Sequence, residues 1–174
     1  MKVKVILMLL IVAMTTMGFE CVNEDAVFSI NVQGVSGTYL VPQGSQTLAL
    51  TTWTFTPSQY LGGDYGDISN VRIYDIRVTT AGAFSGNVSG TITLNNVAVL
   101  TIVNKPWASF SAPGQSLITS TLFSAPNAAA IQAVIQAIKS SQPVVLGMSG
   151  SLSSAAPAGL SVTVEVLGQV DANL

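Results

Sequence analysis

Between residues 70 and 104 apolar and polar side chains alternate with a period of two, broken only by short turns, which predicts three consecutive strands. In residues 88–94, Val88, Ile92 and Leu94 share one face with Gly90, while Ser89, Thr91 and Thr93 share the other. Asn95 and Asn96 follow where a two-residue hairpin turn is needed, because Asn tolerates the positive φ of such turns. Residues 97–103 are apolar on both faces, the pattern of a strand in the middle of a sheet. Upstream, Tyr74, Ile76 and Val78 make one face, which Arg72 and Thr80 extend outwards.

The same period predicts a strand over residues 26–33, where Phe28, Ile30 and Val32 oppose Ser29, Asn31 and Gln33, with Gly34 and Gly37 as its turn. A short strand over 38–41 and a longer one over 47–55 follow. In the longer one Leu48 and Leu50 lie opposite Trp53 and Phe55, and Pro57 ends it. Residues 58–70 and 104–115 read as two long loops, and 117–123 fits a strand or the entry to a helix. The period then changes to that of a helix: Ile131, Val134, Ile135 and Ile138 form a stripe opposite Gln132, Gln136 and Lys139. Asn127 is placed as its N-cap, and Lys139 suits the negative end of the helix dipole. Strands over 144–153 and 160–170 close the chain, with Val162, Val164 and Val166 facing away from Thr163 and Glu165. The expected fold is all-β with one helix: an antiparallel β-sandwich of immunoglobulin-like or Greek-key type, the helix covering one end or edge. A small β-barrel is the alternative, and residues 26–174 form a single domain.

The N-terminus changes where that domain begins. Lys2 and Lys4 precede an unbroken apolar run over 5–14 that turns polar at Thr15, the layout of a secretory signal peptide and too short to span a bilayer. Residues 1–20 are assigned to it, with 21–25 as a short tether. Thr16 and Gly18 fit cleavage by the general signal peptidase. Cys21, the single cysteine, stands where acylated cysteines stand in exported bacterial envelope proteins of lipoprotein type, and the segment up to Cys21 resembles those proteins, although Glu20 replaces the small residue their motif carries. The resemblance implies lipidation at Cys21 and membrane anchoring. An intermolecular link or a spare thiol are the other fates of a solitary cysteine. Location is then periplasmic, outer-membrane-anchored or on the surface of a bacterium.

Composition excludes several chemistries. Charged residues are 8% of the chain, against about 25% in ordinary domains, whereas apolar residues are 49%, ample for a core. Beyond the signal peptide the cations are Arg72, Arg77, Lys105 and Lys139, scattered rather than clustered, so nucleic acid is not an expected partner. With no histidine and one cysteine, the histidine-dependent nucleophile arrangements and zinc sites are absent. A carboxylate pair drawn from Asp64, Asp67, Asp75 and Glu165 is the remaining catalytic option, and nothing sets two of them across a cleft. Asp75 and Arg77, two apart on one strand face, read as an ion pair. In the loop GGDYGD, Asp64 and Asp67 are candidate calcium ligands. The favoured reading has them bonding to nearby backbone amides, so no cofactor is expected. Asn87-Val88-Ser89 matches the glycosylation triplet but lies in a strand with Val88 turned inwards.

Tyr60, Tyr65, Trp107 and Phe110 fall in the two long loops and are candidate ligand-binding aromatics, suited to stacking on a sugar ring. The alternative for Trp107 is a plug in one end of the sandwich. The expected function is that of a non-catalytic secreted or membrane-anchored envelope protein with a structural, docking or self-assembly role, since few charges guard its strand edges against pairing. A glycan- or ligand-binding module is the alternative, and a carboxylate-based hydrolase the remote one.

Overall fold

The computed structural model describes residues 27–61, 68–116 and 127–173. Its strands are β1 (Val27–Leu40), β2 (Thr47–Phe55), β3 (Ile68–Ala81), β4 (Asn87–Leu94), β5 (Val97–Pro106), β6 (Gln115–Ser116), β7 (Val144–Leu152) and β8 (Ser161–Asn173). A short helix α1 (Pro57–Leu61) follows β2, a 3-10 turn (Trp107–Phe110) follows β5, and helix α2 (Ala128–Lys139) precedes β7.

The strands form two antiparallel four-stranded sheets, the first in the order β1-β8-β3-β6 and the second in the order β2-β7-β4-β5. Pairing β1 with β8, β2 with β7, β3 with β6 and β4 with β5 describes one long antiparallel ribbon, and rolling it up brings β8 beside β3 and β7 beside β4. This is the jelly-roll arrangement of two Greek keys. The expected sandwich is therefore present, in Greek-key rather than immunoglobulin strand order, and the two sheets do not close into a barrel. Between them lie the inward side chains of both sheets, among them Ile76, Val78, Ile92, Leu94, Leu146, Val164 and Val166.

The β4–β5 hairpin follows its sequence: Val88, Ile92 and Leu94 are buried, and Asn95 and Asn96 take φ of 48° and 64° in the turn. β8 likewise buries Val162, Val164 and Val166 and turns Thr163 and Glu165 outwards. Asn127 caps α2, its side chain accepting hydrogen bonds from the amides of Ala129 and Ala130. Its own amide donates to Val99 O at 2.9 Å and its Nδ2 to Ala98 O at 3.2 Å, so one residue both starts the helix and fastens it to β5. The buried stripe of α2 is Ala130, Val134 and Ile138, with Ile131 and Ile135 half-buried on its flanks and Gln132 and Gln136 exposed.

Elsewhere single-residue bulges overturn the expected faces. β1 is continuous, so Gly34 and Gly37 do not form a turn; a bulge lies between Val32 and Val35. Gly37 lies under Trp53 of β2, where a Cβ would collide with the indole ring, and this contact brings together the two edge strands on that side of the sandwich. In β2 a bulge between Leu48 and Thr51 reverses the alternation. Leu48 therefore shares the inner face with Trp53 and Phe55, and Leu50 is 71% exposed. In β3 the extra residue is Tyr74, which is pushed outwards and 54% exposed, while Ile76, Val78 and Thr80 point in. Residues 97–103 are not central: β5 is an edge strand, bulged at two places, with Val97 and Val103 exposed. All three long edge strands thus carry bulges, which bend an edge away from further pairing.

Candidate functional site

Trp107 and Phe110 are corrected from exposed loop aromatics to core residues, 1% and 0% exposed. The chain brings Trp107 inwards by three bonds: its amide donates to Gly86 O at 3.0 Å, its indole Nε1 to Gly82 O at 3.1 Å, and Thr80 Oγ1 donates to Trp107 O at 2.9 Å. The plug reading of Trp107 is the one that fits. Only the backbone of Tyr60, in α1, is described, and Cys21, Asp64, Tyr65 and Asp67 lie outside the described residues.

The two described carboxylates of the hydrolase option lie on the outer face of the first sheet. Arg77 stands opposite Glu165 and pairs with Asp75, Nη2 to Oδ2, at 3.6 Å, and Ser116 Oγ donates to Asp75 Oδ1 at 2.6 Å. This is the ion pair expected from spacing, placed on a sheet face. The glycosylation triplet is engaged in structure as well: Val88 is buried and Asn87 Nδ2 donates to Asn104 Oδ1 at 2.9 Å.

The most distinctive surface is the outer face of the second sheet. Its four strands contain a single charged residue, Lys105, next to the last position of β5. Alternation puts Val88, Ile92, Leu94, Leu146 and Met148 inside and leaves an uncharged outer face made mainly of hydroxyls, with the exposed Leu50 and Val103 on the two edge strands. Pairing aligns those hydroxyls in rows: Thr101, Thr91 and Ser149 in one, Ser89, Ser151 and Thr47 in the next. Thr93 and Thr52 flank Gly147, whose missing side chain leaves room for the Thr93 hydroxyl. Strand geometry sets such rows about 4.8 Å apart across strands and about 6.8 Å apart along them. A shallow depression of about 310 Å³ opens between Ser89, Thr91, Thr101, Ser149 and Ser151, with the exposed Val103 at its edge. Beneath Gly90, between the sheets, lies a separate apolar cavity of about 20 Å³, room for one water-sized sphere and no larger ligand.

The sequence showed that charge was scarce, and the fold gathers nearly all the scarcity on one sheet. The sequence puts Ser89, Thr91 and Thr93 on one strand face but does not mark that face as a contact surface, because Thr and Ser at alternate positions also mark any half-exposed strand. Comparison with known proteins returned no match to a family model, a curated protein or a solved structure.

Proposed function

We propose that the protein is a non-catalytic, exported envelope or surface protein that acts by docking or self-assembly, and that the outer face of its second sheet is the contact surface. The observation that carries this reading is the hydroxyl-lined face with Lys105 as its sheet's one charged residue. Covering such a face removes hydroxyls from water but almost no ions, and hydroxyls cost far less to desolvate and can re-form their hydrogen bonds across a contact. Bulges on β1, β2 and β5 disfavour growth through strand edges, which directs association to the face. Jelly rolls serve both as assembling subunits and as lectin modules, so the fold alone does not choose between them. The N-terminal pattern ending at Cys21 supports export and a lipid anchor.

Two lysines on the face, at exposed positions that are not partners of each other, test the reading. Thr52→Lys with Ser151→Lys, on the anchor-free Cys21→Ser background, is expected to keep the parent melting temperature and to lose concentration-dependent association in sedimentation, or retention on isolated envelopes. A parent that neither associates nor binds envelopes, or a double variant that still does, contradicts it.

A further inference from the structure

A second surface stands apart from the sheet face. The β3–β4 connection and the 3-10 turn flank a shallow, solvent-open hollow of about 500 Å³ lined by Phe84, Ser85, Ala83, Trp107, Ala108 and Ser111. Its two walls are fastened together by the Trp107 bonds to Gly82 and Gly86, so the hollow is formed before any ligand arrives. Phe84 meets the buried indole of Trp107 edge-on, ring centres 5.7 Å apart at 88°, and its ring tip lies against Gly86, where a Cβ would collide with it. Phe84 is itself half-buried, a ring fixed in place at the solvent boundary. At the rim, Ser85 and Ser111 are exposed, and among the described residues neither hydroxyl has a protein partner.

We propose that this hollow binds the ring of a neutral sugar, one unit of an uncharged glycan, with Phe84 as the stacking platform and the Ser85 and Ser111 hydroxyls as the hydrogen-bonding rim. No charged side chain lines it, so an anionic or cationic ligand would give up hydration with no counter-ion in return. A purely apolar chain would find an open dish with a polar rim instead of an enclosed channel. A pyranose combines a C–H face, which suits the negative face of an aromatic ring, with hydroxyls around its edge, and matches both features. The site does not depend on the role given to the second sheet.

Calorimetric titration of the full-length protein with neutral hexasaccharides (β-1,4- and β-1,3-glucan, α-1,4-glucan, β-1,4-xylan and β-1,4-mannan), with an oligogalacturonate as the charged control, tests this. At least one neutral oligosaccharide is expected to bind at millimolar concentration or below, and the oligogalacturonate is not. Ala108→Arg, at an exposed position in the lining, should abolish binding with the melting temperature unchanged, and Phe84→Leu should weaken it roughly tenfold. Thr52→Lys with Ser151→Lys should leave it intact, which separates this site from the sheet face. Binding by none of the neutral sugars, preference for the charged control, or binding that survives Ala108→Arg overturns the proposal.

Discussion

Trp107→Ala should destabilise the domain by about 3 to 5 kcal/mol, a large part of the total stability of a domain this size. The indole is 1% exposed, forms part of the common core and meets the Phe84 ring edge-on. Its removal leaves a cavity where the β3–β4 connection and the 3-10 turn meet, and deprives Gly82 O of its donor. The backbone bonds of residue 107 to Gly86 and Thr80 survive the substitution, so the loss reports packing and the indole N–H. Trp107→Phe, which keeps much of the volume, should cost clearly less. Urea denaturation measures both. A neutral Trp107→Ala would mean that the ring lies at the surface, and would return it to the list of ligand-stacking aromatics.

Ile138→Ala should cost about 2 to 5 kcal/mol, and Gln132→Ala almost nothing. Ile138 and Val134 are buried where α2 packs against β3, β4, β5 and β7, whereas Gln132 faces water. Ile135 is only half-buried, so Ile135→Ala should fall between the two. Thermal and urea denaturation of the three variants give the order directly. If Ile138→Ala left the monomer's stability unchanged and abolished an association between molecules, the stripe would be a partner-binding face and α2 would leave the core.

What could be read ahead was whatever local rules decide. Asn95-Asn96 fixes a turn through backbone angles, residues 162, 164 and 166 fix a face through period, and Asn127 fixes a helix start through its side chain. The reversed faces in β2 and β3 share one physical cause: a bulge adds a residue to one strand opposite a partner that sequence does not reveal. Tyr74 left the face of Ile76 and Val78 in this way, and Leu50 left that of Leu48. Gly37 looked like a turn residue because glycine signals turns, but its missing side chain makes room for Trp53, a partner on the other sheet. The start of α1 is a local signal of the same kind as Asn127. Thr56-Pro57-Ser58-Gln59 is a capping box with proline at the first helical position, and Gln59 Oε1 accepts from the Thr56 amide at 2.7 Å to start α1. For the candidate surfaces the sequence supplied scarcity of charge but not its address, since strands far apart in the chain make up the second sheet. Among the aromatics it pointed to Trp107 and Phe110, which are core, and passed over Phe84, which sits at the solvent boundary.

The claim that the second sheet's outer face is the contact surface is tested most directly by thiol accessibility in the native envelope. Ser151 lies exposed on that face, and Ser36 lies exposed on the outer face of the first sheet. Cells carrying Ser151→Cys or Ser36→Cys would be treated with a maleimide reagent that reaches the protein's compartment, with the unaltered chain as the blank for Cys21 and the purified proteins as references. Both cysteines should label fully in the purified proteins. In the envelope Ser36→Cys should still label and Ser151→Cys should be protected. Equal labelling of the two in the envelope would contradict the assignment.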